Sequence, residues 1–174
     1  MADVFLHAVD VHTEQRAMIE SLKSALGRNK TYCEEADDQA RTAFRNTWAT
    51  LLRSESVAYS MPVSDEQHCA TIRRISDLLS NDYGRYLVNG RLRYGTSQKA
   101  LNLYLKYLWR LGIINVPPPH CPIDAGVLAA AGIDGAWTKC DSIEQYMEWI
   151  TRLKTKAAPF CLADWEYNTW LPSR

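Results

Sequence analysis

The stretch GTSQKALNLYLKYLWRLGIINVPPPHCPID, residues 95–124, decides how the chain is read. Its first half predicts a helix over about 97–111, with Leu101, Leu103, Tyr104, Leu105, Leu108, Trp109 and Leu111 taking most of the wheel. The polar positions Lys99, Asn102, Lys106 and Arg110 fall within about 80° of one another, a single narrow stripe. Such a helix belongs in a core and shows one wet, basic edge, with Lys99 in its first turn. Pro117 to Pro119 end the following loop, and Asp124 opens a second helical run 25 residues after Lys99. An amine and a carboxylate thus stand at the mouths of two helices.

Outward from this stretch the pattern stays helical. Residues 13–27 open on Thr13, place Ala17, Ile19, Leu22 and Leu26 in a stripe and stop at Gly27. Residues 33–57 form a longer run with Phe44, Trp48, Leu51 and Leu52 inward, broken by Met61-Pro62. A third helix starts at Ser64, has Asp65 and Glu66 in its first turn, and carries Ile72, Ile75, Leu78 and Leu79 to about Ser80. Residues 81–95 hold three glycines and read as a turn-rich connection. Short helices are predicted near 123–131, 142–156 and 160–169. No alternating strand, internal repeat or long linker interrupts the series, so the expectation is an all-α fold in one domain spanning 1–174.

A chain of 174 residues suits one domain and can bury ~70% of its unfolded surface without a disulfide or metal. The five cysteines, Cys33, Cys69, Cys121, Cys140 and Cys161, include no CxxC pair. That argues against a zinc site, an iron–sulfur cluster and a disulfide framework, and predicts small buried thiols. The start, MADVFLHAVD, lacks the basic and apolar regions of a signal peptide, and no run approaches the ~18 apolar residues of a membrane span. The expected location is the cytoplasm, with no membrane partner. Net charge is zero. Yet residues 70–115 hold eight basic residues (Arg73, Arg74, Arg85, Arg91, Arg93, Lys99, Lys106, Arg110) against Asp77 and Asp82, a surplus of six that the rest of the chain cancels. Either this segment makes a basic field able to hold a polyanion, or it is solvated helix surface.

The text around Lys99 carries a resemblance. RYGTSQKALNLYL resembles the hairpin and second helix of the helix-hairpin-helix DNA glycosylases, whose pattern is roughly L-P-G-V-G-x-K-x-A. Lys99 falls on the catalytic lysine of that pattern and Gly95 on the first hairpin glycine. Pro122-Ile123-Asp124 is similar to the motif that opens a helix with the family's catalytic aspartate. Ser97 replaces the second glycine, Arg93-Tyr94 stands where Leu-Pro is usual, and Gly126 occupies a position often held by histidine. The likeness covers about 90–132, is nearest to the archaeal 8-oxoguanine branch, and implies a helix-hairpin-helix and catalytic segment at about 84–132.

The resemblance implies excision of a modified base, either an oxidised purine or a hypermodified phage base such as glucosylated cytosine, in DNA repair or phage defence. Cleaving an N-glycosidic bond builds positive charge on the sugar, which a carboxylate near C1′ stabilises; Asp124 is the candidate. Lys99 is the candidate nucleophile, displacing the base and leaving a Schiff base that permits strand cleavage. Alternatively, Asp124 is an ordinary helix cap. The hairpin residues Gly95, Thr96 and Ser97 would grip phosphate through their N–H groups, with Arg91, Arg93 and Lys106 adding charge. Walls for a flipped base are sought among Tyr94, His120, Cys121, Trp137 and Trp165, with Tyr83 and Tyr86 as further wedges. No cofactor or metal is required, duplex DNA is the partner, and a monomer is expected. Two rivals stay open: a helix-hairpin-helix module that only binds DNA, and an interaction protein using its Trp- and Tyr-rich surface. The glycosylase reading requires the Lys99 amine and Asp124 carboxylate to face one cleft within ~6 Å.

Overall fold

Apolar periodicity makes the helices, and side-chain caps set where most of them begin. In a computed structural model, which describes residues 3–27 and 29–170, eight α-helices follow one another. They are α1 (Val4–Ala8), α2 (Glu14–Leu26), α3 (Asp38–Ser56), α4 (Asp65–Tyr83), α5 (Tyr94–Arg110), α6 (Ala125–Ala130), α7 (Ile143–Ala157) and α8 (Leu162–Trp170). Asp3, Thr13, Asp37, Ser64, Asp124 and Ser142 cap six of them with side-chain oxygens. Ser64 and Gln67 form a reciprocal capping box. No strand occurs among the described residues; Tyr32 and Leu87 make an isolated antiparallel bridge. The fold is all-α, built on one hydrophobic core.

The core is organised around α5. Every residue from Tyr94 to Leu108 is buried, and α2, α3 and α4 pack along it. A helix covered on all sides must be apolar or must find partners for its polar groups. Here it does both, so the wet edge expected for Lys99, Asn102 and Lys106 does not exist: these side chains are buried, and only Arg110 is partly exposed. The helix also begins at Tyr94, three residues before the expected start. Asp141 Oδ1 accepts from the Tyr94 amide at 2.9 Å and the Cys140 carbonyl from the Gly95 amide at 2.9 Å. A distant loop caps the helix, so Lys99 lies in the second turn rather than the first.

Several inward expectations hold, among them Ala17, Leu22, Phe44, Trp48, Leu52, Ile72, Ile75 and Leu79. Ile19 and Leu78 instead face solvent at 47% and 40% exposure, because Met18 and Ile75 take the core side of their turns. α1, absent from the sequence reading, buries Phe5 and Leu6. All five cysteines are free thiols; Cys69, Cys121 and Cys140 are buried, whereas Cys161 is exposed. Among the described residues no helix is long and apolar enough to cross a membrane.

Much of the basic surplus of residues 70–115 is answered by acids, all of them except Asp77 from outside that segment. Arg74 pairs with Glu55, Arg91 with Asp77 and Asp141, Lys99 with Asp124, Lys106 with Glu166, and Arg110 with Asp3. Arg73 lies over the Tyr94 ring. Five of the eight basic side chains are thus held in ion pairs, while Arg85 lies over the Tyr86 ring and Arg93 bonds the Thr138 carbonyl.

Candidate active site

Asp124 is the N-cap of α6, extended at φ −140° and ψ −177°. Its Oδ1 accepts from the Val127 amide at 3.0 Å, which fixes the carboxylate. Its Oδ2 lies 2.7 Å from Lys99 Nζ. Cap and ion pair thus use opposite oxygens of one carboxylate. Burial pushes the Asp124 carboxyl up, but the Lys99 charge, the Lys99 hydrogen bond and the Val127 and Gly126 amides outweigh it and hold it below its ordinary range. At neutral pH the group is an anion, suited to stabilising positive charge.

The pair opens on a cleft of about 450 Å³. Phe5, Leu103, Tyr107, Pro122 and Trp137 give it apolar walls, while Asp10, Arg16 and Lys23 are exposed lining residues. Lys106 and Glu166 form a second ion pair in the same cleft, at 2.6 Å. Lys106 Nζ also sits 4.0 Å from the Phe5 ring centroid. Burial lowers the Lys106 ammonium against the opposing pull of Glu166. Two lysines two helical turns apart on α5 therefore face one cleft, each with its own carboxylate.

Of the expected base walls, only Trp137 lines this cleft. Tyr94 is a core residue whose hydroxyl donates to the Cys69 carbonyl at 3.3 Å. His120 is fully buried, 2.8 Å from the Tyr146 hydroxyl and 3.1 Å from Asp65 Oδ1. Cys121 is also sealed, and burial raises its thiol well above the ordinary value. Trp165 packs against the core; its neighbour Glu166 reaches the cleft instead. Tyr83 bonds Thr47 and Tyr86 lies beside Arg85, both away from the cleft.

The phosphate grip expected at the helix start is also corrected. Gly95, Thr96 and Ser97 are buried, and their amides bond the carbonyls of Cys140, Arg93 and Arg93. Thr96 Oγ1 accepts from Asn29 and Ser97 Oγ donates to the Ile72 carbonyl. A Cβ on Gly95 would stand 1.9 Å from the Trp137 carbonyl oxygen, so this glycine serves close packing. Arg91 joins Asp77 and Asp141, and Arg93 donates to the Thr138 carbonyl at 3.0 Å. Both arginines hold the 138–141 loop against the start of α5. Lys106, buried against Glu166, reaches no surface phosphate.

The sequence reading missed Glu166, although a signal existed. Residues 162, 163 and 166 share one helical face, so a carboxylate falls on the buried stripe of Leu162 and Ala163. Phe5, Arg16 and Lys23 carry no comparable signal, since only tertiary packing brings them to the cleft. Among the described residues no three of His, Cys, Asp and Glu gather as metal ligands would. Comparison with family models, curated proteins and solved structures finds no match for this chain.

Proposed function

We propose that the protein is a DNA glycosylase that excises a modified base, acting as a cytoplasmic monomer on duplex DNA, and that its likeness to the helix-hairpin-helix glycosylases reflects shared chemistry. The observation that carries the reading is the Lys99–Asp124 contact of 2.7 Å on a cleft of about 450 Å³. A cleft of that volume falls within the ~300–1,000 Å³ of small-molecule sites. A flipped nucleotide would place its base between the apolar walls and its C1′ beside the pair. As the glycosidic bond breaks, Asp124 stabilises the cationic sugar. Lys99 passes a proton to the departing base, which leaves with the electron pair of the glycosidic bond, and the freed amine bonds C1′. The C1′–O4′ bond then opens, O4′ takes a second proton from the nitrogen, and the protonated imine so formed permits strand scission.

The binding-module reading loses support because the amides meant to grip phosphate are occupied within the protein. Arg16 and Lys23 are better placed for the DNA backbone, being exposed beside the cleft. Their contacts with Glu20, at 3.1 and 3.5 Å, are surface pairs that a phosphate can replace. Oxidised purine and hypermodified phage base, such as glucosylated cytosine, are the target classes, with repair or phage defence the corresponding role. Borohydride trapping tests the nucleophile. A covalent adduct with modified duplex is expected from the wild type and not from Lys99→Gln. An equal adduct from both proteins would remove Lys99 from the proposal.

A further inference from the structure

Gln98 grips the residue that precedes Asp124 by both of its main-chain groups. Its Nε2 donates to the Ile123 carbonyl at 2.8 Å, and its Oε1 accepts from the Ile123 amide at 3.2 Å. One turn on, Asn102 Nδ2 donates to Gln98 Oε1 at 3.0 Å and to the Cys121 carbonyl at 3.0 Å. Gln98 and Asn102 are 1% and 0% exposed, so water does not substitute for these bonds. The buried side chains of Cys121 and Ile123 already anchor the loop by apolar packing. The amides add orientation, because a two-point hydrogen bond fixes angle as well as distance.

Gln98 is also the residue before Lys99. One turn of α5 therefore carries the amine on one face and, about 100° around, the clasp on the carboxylate's own backbone. We infer that Gln98 is a positioning residue that sets Asp124 against Lys99, with Asn102 locking its amide in the required orientation. This rests on reading Lys99 and Asp124 as the working pair. Gln98 itself does not line the cleft.

Gln98→Met tests the clasp, because it keeps the length and volume and removes both bonds. With the aspartates labelled, the Asp124 carboxyl is titrated by carbon NMR in wild type and variant. The expected result is a rise of the Asp124 midpoint in Gln98→Met as Lys99 loses register, with base release slowed about ten- to a hundredfold and duplex affinity unchanged. A folded Gln98→Met with an unmoved midpoint overturns the inference. Absence of base release from the wild type overturns the glycosylase reading instead, and leaves the NMR comparison to decide the clasp. If Gln98→Met does not fold, hydrogen exchange of the wild type decides: an Ile123 amide released only by global unfolding supports the clasp, and one exchanging at loop rates refutes it.

Discussion

Lys106 and Glu166 meet at 2.6 Å with side chains only 3% and 5% exposed, one helix from the centre of the core and one from its end. This pair ties α8 to α5 across the cleft. Removing one partner strands a buried charge, whereas replacing both with apolar groups does not. Glu166→Leu should therefore cost about 3–5 kcal/mol in denaturant unfolding. Adding Lys106→Met should recover most of that loss. A double variant as unstable as the single would show that the pair is not the source.

Acid should destabilise the protein earlier than its carboxylates alone would allow. Burial lowers both His68 and His120 below the ordinary value of 6.5, for His120 despite the opposing Asp65. The bonding is consistent with two neutral rings: His68 accepts from Tyr59 and donates to Asn102, and His120 accepts from Tyr146 and donates to Asp65. A lowered folded pKa means the unfolded chain binds more protons. The stability involved is present above 6.5 and is lost as pH falls from there toward each folded pKa, by at most about 1.4 kcal/mol per pH unit for each ring. Unfolding titrations at pH 7 and 5 check this, and His120→Gln should make the dependence shallower, leaving the part that His68 carries.

Gly95→Ala separates two views of one residue. An exposed hairpin glycine, moved into a helix, would gain up to about 1 kcal/mol from alanine. Here the new methyl would meet the Trp137 carbonyl at 1.9 Å, and that backbone atom cannot swing aside. A loss of about 1–3 kcal/mol or more is expected on thermal or chemical unfolding. A gain would place Gly95 outside the packed core.

The sequence disclosed the helices better than their surroundings. Ser64, Thr13 and the apolar stripes are local signals, so the all-α class and most boundaries were legible. The start of α5 was not, because Asp141 and Cys140 cap it from 47 and 45 residues away. The meeting of Lys99 and Asp124 was expected within ~6 Å and is found at 2.7 Å, with Asp124 at its helix end as expected but Lys99 a turn deeper in α5. The fate of the other charges was not legible: Arg91, Arg93 and Lys106 looked free in sequence, but their partners lie in α4, the 138–141 loop and α8. Pairing between distant segments leaves no local trace. The same holds for Gln98, an ordinary polar helix residue until the loop at 121–123 folds onto it.

The most direct measurement is release of free base. Genomic DNA bearing oxidised bases and phage DNA bearing hypermodified cytosine are incubated with the wild type and with Asp124→Asn, and mass spectrometry searches for liberated bases. The account predicts one modified base freed by the wild type, with the rate falling about 10²–10³-fold in Asp124→Asn. No free base from either protein across the panel, or equal release by both, would contradict it.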